Sequence, residues 1–137
     1  MMLRLFAIVF ALLPMLALSG CSEPPYTQVD NAQLKSLIGQ GVPLYDIRRP
    51  EEWRQTRVVE SSRTLTFVDA SGRPNPEFLP RFMAEVGKDD PVALICRTGN
   101  RSDILARQLA DLGYTQIYNV RDGIARWIGE GNPVVAH

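Results

Sequence analysis

A cysteine stands at the end of a strongly apolar run, and a short loop follows it. Residues 91–96 (PVALIC) predict a fully buried central strand, and residues 97–102 (RTGNRS) lead into a predicted helix. Such a loop gathers backbone N–H groups around the sulfur, with the positive end of a helix dipole behind them. Both effects favour the thiolate, which is the nucleophilic form of cysteine. The pattern therefore predicts Cys96 as a catalytic nucleophile.

The other side chains of this loop fit the same chemistry. Arg97 and Arg101 add two positive charges, which stabilise a thiolate and attract an anionic substrate, and Arg101 is also expected to pin the loop. Gly99 and Asn100 tolerate the left-handed conformations that a cradle-shaped loop requires. Ser102 is expected to cap the helix that follows. A buried cysteine that packs as a small apolar side chain is the alternative, but it leaves the arginines unexplained.

The chain holds only two cysteines and one histidine, which excludes several other kinds of site. A structural zinc site needs four nitrogen or sulfur ligands, and these residues cannot supply them. His137 is the last residue and is expected to be exposed and mobile, so a papain-like Cys–His pair is excluded. The lack of a Cys-x-x-Cys motif excludes a thioredoxin-like dithiol. We therefore expect no metal and no organic cofactor.

The size and charge of the chain narrow the class of protein further. Its 137 residues fit one compact domain and leave no room for two. Fifteen basic and fifteen acidic side chains give a formal net charge of zero. A nucleic-acid-binding domain would carry a clustered excess of Lys and Arg, so no nucleic-acid partner is expected.

The start of the chain is typical of a secretory signal peptide. Residues 5–18 run apolar, interrupted only by Pro14, and this run is shorter than the about 20 residues that span a bilayer. Its end, Leu18-Ser19-Gly20-Cys21, resembles the lipobox of bacterial lipoproteins, in which cleavage leaves a lipid-bearing cysteine at the mature N-terminus. An ordinary signal peptide that leaves Cys21 as a free thiol is the alternative.

The lipobox resemblance implies a lipoprotein signal peptide over residues 1–20 and a lipidated Cys21. A polar, proline-rich tether over residues 21–29 then joins the membrane anchor to a domain over residues 30–137. Ser22, rather than Asp, follows the cysteine, which by resemblance to lipoprotein sorting favours the outer membrane. The expected location is therefore the bacterial envelope, with the domain facing the periplasm.

Predicted strands and helices alternate along the rest of the chain. The predicted helices cover residues 31–38, capped by Asp30, a short segment opened by Pro50, 78–86, 102–112 and 124–128. The predicted strands cover residues 42–47, 63–68, 91–96 and 116–120. This alternation favours an α/β domain with a mostly parallel central sheet flanked by helices. Ligands bind beyond the carboxyl ends of such strands, which is where Cys96 and its loop fall.

Three segments resemble the single-domain rhodaneses, a family of sulfurtransferases. Residues 96–102 (CRTGNRS) look like their Cys-x-x-Gly-x-Arg-Ser active-site loop, and residues 45–53 (YDIRRPEEW) resemble their Asp-x-Arg…Glu-aromatic segment. Residues 113–134 resemble their C-terminal portion. One departure is residues 56–60 (TRVVE), which stand where the family often carries Gly-His-Ile. The resemblance spans about residues 30–135 and implies a rhodanese-like three-layer domain.

The resemblance also implies a mechanism. The Cys96 thiolate attacks the outer sulfur of thiosulfate or of a persulfide donor, and an acceptor nucleophile then removes that sulfur from the Cys96 persulfide. Asp46 and Arg48 shape the site rather than react, although a plain ion pair at a strand end is the alternative. The implied partners are a small sulfur anion or persulfide donor and an acceptor that the sequence does not identify. The implied substrate-binding residues are Arg97, Thr98, Gly99, Asn100, Arg101 and Ser102.

Two other functions stay open at this point. A cysteine phosphatase would share the nucleophile, but its loop is longer by a residue than the four residues between Cys96 and Arg101. A non-catalytic module would bind a partner in the envelope or carry a persulfide to one protein, and fold alone does not settle activity. The discriminating observation is whether Cys96 takes up sulfur and turns over with small acceptors.

Overall fold

The computed structural model describes Gly20 and residues 22–137. These residues form β1 (Thr27–Val29), α1 (Asn31–Gly39), β2 (Leu44–Asp46), α2 (Pro50–Thr56), β3 (Arg63–Thr64), α3 (Phe78–Glu85), β4 (Val92–Ile95), α4 (Asn100–Asp111), β5 (Ile117–Val120) and α5 (Gly123–Gly129). The predicted boundaries agree to within two residues, except that β3 ends at Thr64. The predicted signal peptide over residues 1–20 lies outside the described residues except for Gly20, and the predicted lipidation site, Cys21, lies outside them as well. Within the described part, no helix is both long and apolar enough to cross a bilayer.

The five strands form one parallel sheet in the order β1-β5-β4-β2-β3. β4 lies in the centre, and all four of its residues are buried, as its uninterrupted apolar sequence predicts. Helices α1 and α5 pack on one face of the sheet, and α3 and α4 pack on the other. The predicted α/β fold, with a parallel sheet between two helical layers, is confirmed.

The side-chain alternation of β4 decides on which face the cysteine lies. Ala93 and Ile95 pack in the apolar cluster of α1 and α5, whereas Val92 and Leu94 pack in the cluster of α3 and α4. Cys96 continues the second series and belongs to the same cluster. The alternation along β4 therefore places the Cys96 thiol on the face of the sheet that α4 covers.

The tether predicted over residues 21–29 is wrong for its second half. Thr27–Val29 forms the edge strand β1, which pairs in parallel with β5, and Tyr26 just before it is buried. A strand of three residues, one residue after two prolines, offers too short a pattern to recognise from sequence. The folded domain therefore begins at Tyr26 rather than at residue 30.

Two predicted helix starts are confirmed, and the second one matters for the site. Asp30 caps α1, where its side chain accepts from the backbone N–H of Gln33 at 2.8 Å. Pro50 is the first residue of α2. Because α2 follows the end of β2 after three residues, it lies at the carboxyl edge of the sheet, next to the Cys96 loop.

Candidate active site

The Cys96 side chain lies at the carboxyl end of β4, enclosed by the loop that leads into α4. The residue is 1% exposed. The Gly99 N–H donates to the Cys96 Sγ at 3.2 Å, and the Ser102 hydroxyl donates to the same atom at 3.3 Å. Both donors, together with the amino end of the 12-residue helix α4, stabilise negative charge on the sulfur. The loop therefore directs two hydrogen-bond donors at the sulfur.

Two glycines fix the path of this loop. Gly99 has a φ of +95°, and a Cβ there would lie 1.9 Å from the carbonyl oxygen of Arg121. Gly123 has a φ of +64°, and a Cβ there would lie 2.4 Å from the carbonyl oxygen of Arg97. A backbone N–H from the first turn of α5 also donates to the Cys96 carbonyl at 2.9 Å. The loop is therefore clamped between the starts of α4 and α5, with no room for a side chain at either glycine.

The prediction that Ser102 caps α4 is wrong. The helix begins at Asn100, and its N-cap is Gly99, whose left-handed backbone starts the helix two residues earlier than expected. Ser102 therefore lies inside the first turn and is fully buried. Its hydroxyl is 3.2 Å from the Gly99 carbonyl oxygen and 3.3 Å from the Cys96 sulfur, so its one proton is shared between these two acceptors and does not cap the helix.

Asn119 of β5 also contacts the loop, and sequence analysis missed it. Its Nδ2 donates to the Gly99 carbonyl at 3.3 Å and to Gln28 Oε1 at 3.0 Å. The residue is 1% exposed, and no group of the described residues donates a hydrogen bond to its Oδ1. Asn119 therefore holds the residue whose N–H binds the sulfur. The one available signal is a polar residue inside a short apolar strand, which does not indicate a function by itself.

Arg101 forms a two-pronged ion pair with Glu52 of α2. Its two terminal nitrogens lie 2.8 and 2.7 Å from the Glu52 oxygens. Arg101 therefore ties the loop to α2, while the donors expected to meet a substrate anion are occupied by a carboxylate of the protein itself. Sequence analysis did not assign Glu52 to the site, because spacing cannot identify a partner 49 positions away.

Both partners of the Glu52–Arg101 pair are charged, and each stabilises the charge of the other. Burial by itself would raise the pKa of the Glu52 carboxyl, but hydrogen bonds from Arg101 and from the Arg49 backbone lower that pKa from the usual 4.5 to about 2. The hydrogen bond with Glu52 in turn raises the pKa of Arg101. Both side chains are therefore charged throughout the physiological pH range.

The remaining loop side chains face solvent. Arg97 is exposed and makes no side-chain ion pair within residues 22–137, and Thr98 and Asn100 are exposed as well. Beside the loop lies a cleft of about 400 Å³, lined by polar side chains that include Arg49, Gln55 and Arg97. Of the predicted substrate-binding residues, the structure thus brings Gly99 and Ser102 to the sulfur and places Arg97 at the cleft.

Asp46 and Arg48 form a buried ion pair at the end of β2. Arg48 Nη2 lies 2.8 Å from Asp46 Oδ2, and both side chains are at most 1% exposed. Arg48 also donates to the Arg57 carbonyl at 2.8 Å, just past the end of α2, and Trp53 of α2 donates its Nε1 to Asp46 at 3.1 Å. The pair therefore fixes α2, and with it Glu52, against the sheet.

His137 is exposed, yet it is packed against the domain. Its Nε2 lies 2.9 Å from the Thr64 hydroxyl, and its ring centroid lies 4.7 Å from that of Trp53. These contacts are structural and do not involve Cys96. Within the described residues, no cluster of His, Cys, Asp or Glu could hold a metal ion.

Gly99→Ala is expected to destabilise the protein more than a glycine substitution at positive φ normally does. Ala at a left-handed position costs about 1 kcal/mol, and here the Cβ also meets the Arg121 carbonyl. Gly72→Ala is the matched control, since Gly72 has a φ of +79° but no atom within 4 Å of the added Cβ. Urea unfolding measures both losses, and equal losses would mean that the Arg121 contact does not constrain the loop.

The Glu52–Arg101 pair is expected to make stability depend on pH in the acid range. Because the folded pKa of Glu52 is about 2 instead of 4.5, its contribution is complete above pH 4.5 and is lost as the pH falls towards 2. The size of the shift corresponds to about 3 kcal/mol. The unfolding free energy of Glu52→Gln should therefore fall less between pH 5 and pH 2 than that of the wild type. Equal slopes would contradict the pairing.

Comparison with known proteins agrees with this geometry. The family described as Rhodanese-like domain matches residues 30–130. A sulfurtransferase of Allochromatium vinosum is 32% identical over 111 residues, which are 80% of this chain and 94% of that protein. The thiosulfate sulfurtransferase GlpE of Tolumonas auensis is 28% identical over 103 residues, which are 74% of this chain and 88% of that protein.

Solved structures give the same result for the fold. A rhodanese-related protein from Thermoplasma volcanium has a TM-score of 0.64 and 28% sequence identity, over 82% of this chain and 100% of that chain. The rhodanese-like domain of an Anabaena protein has a TM-score of 0.65 at 16% identity, over 85% of this chain and 81% of that chain. The family match covers most of the described residues, and the fold and the cysteine loop agree with it, so the chain belongs to the rhodanese-like family.

Proposed function

We propose that this protein is a sulfurtransferase that carries sulfane sulfur on Cys96. The observation that carries the proposal is the placement of the Cys96 sulfur, which receives the Gly99 N–H and the Ser102 hydroxyl at the carboxyl end of the central strand. Donors in this arrangement stabilise the thiolate that attacks and the persulfide anion that results. The names of the Allochromatium and Tolumonas relatives support the same reaction class.

The reaction has two transfers. In the first, the Cys96 thiolate forms a bond to the outer sulfur of thiosulfate, and the bond between that sulfur and the sulfonate group breaks, so that sulfite leaves with the electron pair. With a persulfide donor, a thiolate leaves instead. In the second transfer, an acceptor nucleophile attacks the outer sulfur of the Cys96 persulfide and restores the thiolate. Such a covalent intermediate gives ping-pong kinetics.

The surroundings of the loop fit a small sulfur donor. Arg97 is exposed at the cleft beside Cys96, where it offers a positive charge to an incoming anion. A phosphatase reaction is less well served, because the loop is one residue shorter than a cysteine phosphatase's and both terminal nitrogens of Arg101, the arginine at its end, are held by Glu52.

Incubation of the purified protein with thiosulfate should add one sulfur atom to Cys96. Intact-mass measurement reads the gain, which cyanide should reverse as thiocyanate forms. Cys96→Ser is expected to gain nothing, because serine offers no thiolate. A wild-type protein whose Cys96 reacts with an alkylating agent, but gains no sulfur from thiosulfate or from organic persulfides, would instead be a binding module.

We also propose that the chain is exported and anchored in the bacterial envelope by lipid on Cys21, with the outer membrane favoured and the domain in the periplasm. The support is the apolar run of residues 5–18 followed by Leu18-Ser19-Gly20-Cys21. More than one acyl chain on a cysteine gives stable membrane attachment, whereas a single chain gives marginal attachment.

Cys21→Ser is expected to abolish both lipid labelling and membrane association. Cells fed a clickable fatty acid report the first, and fractionation of membranes reports the second. Cys96→Ser is the matched control, since it removes the other cysteine of the chain and should keep both properties. Label that persists in Cys21→Ser would rule out this anchor.

A further inference from the structure

The cleft lined by Arg97 and Arg101 of the Cys96 loop contains a carboxylate, Glu52, as well as arginines. Glu52 accepts from the two terminal nitrogens of Arg101 at 2.8 and 2.7 Å. It also accepts from the backbone N–H of Arg49 at 3.0 Å. Arg101, the loop arginine that could bind a substrate anion, is therefore already paired with the Glu52 carboxylate.

Glu52 is held firmly in this position. Its side chain is 11% exposed, and that of Arg101 is 21% exposed. The helix that carries Glu52 is fixed to the sheet by the buried pair of Asp46 and Arg48. Separating a partly buried ion pair leaves two poorly solvated charges, so an incoming anion does not readily displace the carboxylate.

We propose that Glu52 is a specificity-determining residue that weakens the attraction of the arginine-lined cleft for sulfur donors carrying two negative charges. A dianion such as thiosulfate enters beside the Glu52 carboxylate, with Arg97 as the unpaired cation of the loop within the described residues. Like charges close together in partly buried surroundings repel. A donor with one negative charge meets less of this repulsion. The inference rests on the proposed sulfur transfer through Cys96.

Two donors of nearly the same shape isolate the effect of charge. Thiosulfate carries two negative charges, and methanethiosulfonate carries one, because a methyl group replaces a charged oxygen. With either donor the Cys96 thiolate bonds to the terminal sulfur, and the bond from that sulfur to the sulfonyl sulfur breaks. The electron pair leaves on sulfite or on methanesulfinate. The two reactions therefore differ mainly in the charge that enters the cleft.

Glu52→Gln removes the charge and keeps the shape of the side chain. We expect the ratio of kcat/KM for thiosulfate to kcat/KM for methanethiosulfonate to rise about tenfold or more, with cyanide as the acceptor for both. In a ping-pong scheme, kcat/KM for the donor reports the first transfer alone. Glu77→Gln is the matched control, because Glu77 is exposed, makes no ion pair within the described residues and does not line the cleft. Its ratio should stay at the wild-type value.

Gln55→Glu tests the same repulsion without altering the ion pair. Gln55 is exposed on α2 and lines the same cleft, so this variant should fold even if Glu52→Gln does not. The added negative charge should lower the ratio of kcat/KM for thiosulfate to kcat/KM for methanethiosulfonate. A ratio that stays at the wild-type value in Gln55→Glu, or in a folded Glu52→Gln, overturns the inference.

Failure of this inference and failure of the proposed function give different results. If wild-type Cys96 takes sulfur from both donors and the variants leave the ratio unchanged, sulfur transfer stands and the role of Glu52 is wrong. If neither donor, nor an organic persulfide, delivers sulfur to wild-type Cys96, the proposed function is overturned and the inference falls with it.

Discussion

The buried pair of Asp46 and Arg48 is the interaction on which the geometry of the site depends. Two charges withdrawn from water cost free energy, and the cost is offset only where each charge is well hydrogen-bonded. Here Asp46 also accepts from the Trp53 indole, and Arg48 also donates to the Arg57 carbonyl. A network satisfied in this way has one favourable arrangement, and so α2 has one position relative to β2.

The position of α2 determines in turn where the arginine of the cysteine loop is held. Glu52 projects from α2 and takes both terminal nitrogens of Arg101. From other directions, Asn119 holds the Gly99 carbonyl, and the first turn of α5 holds the Cys96 carbonyl. The loop is thus positioned by elements that are far apart in sequence, which gives a short glycine-containing segment a fixed shape around the sulfur.

Local patterns predicted the parts of the fold that are themselves local. The apolar run of β4, Asp30 at the start of α1 and Pro50 at the start of α2 each signal their structure within a few residues. The cysteine loop could be found in the same way, because its residue types stand next to one another. β1 could not, since three residues of mixed polarity form a strand only through pairing with β5.

The contacts that join distant elements were beyond sequence reasoning. Arg101 has several acidic residues available as partners, and only the packing of α2 selects Glu52. Asn119 is an ordinary polar residue until the sheet places it beside Gly99. Ser102 was misjudged for a related reason: the left-handed turn at Gly99 starts the helix early, and the Arg121 carbonyl, distant in sequence, leaves no room for a side chain at that turn.

Because all five strands are parallel, their amino ends lie at one edge of the sheet, the amino edge, and their carboxyl ends lie at the opposite edge. The chain enters β1 at the amino edge, whereas Cys96 lies past the carboxyl end of β4. A lipid on Cys21 would therefore attach the side of the sheet that holds the amino ends of the strands to the bilayer, through a linker of only a few residues. The sulfur would then open away from the membrane, so that donors and acceptors would reach it from the aqueous compartment rather than along the lipid surface.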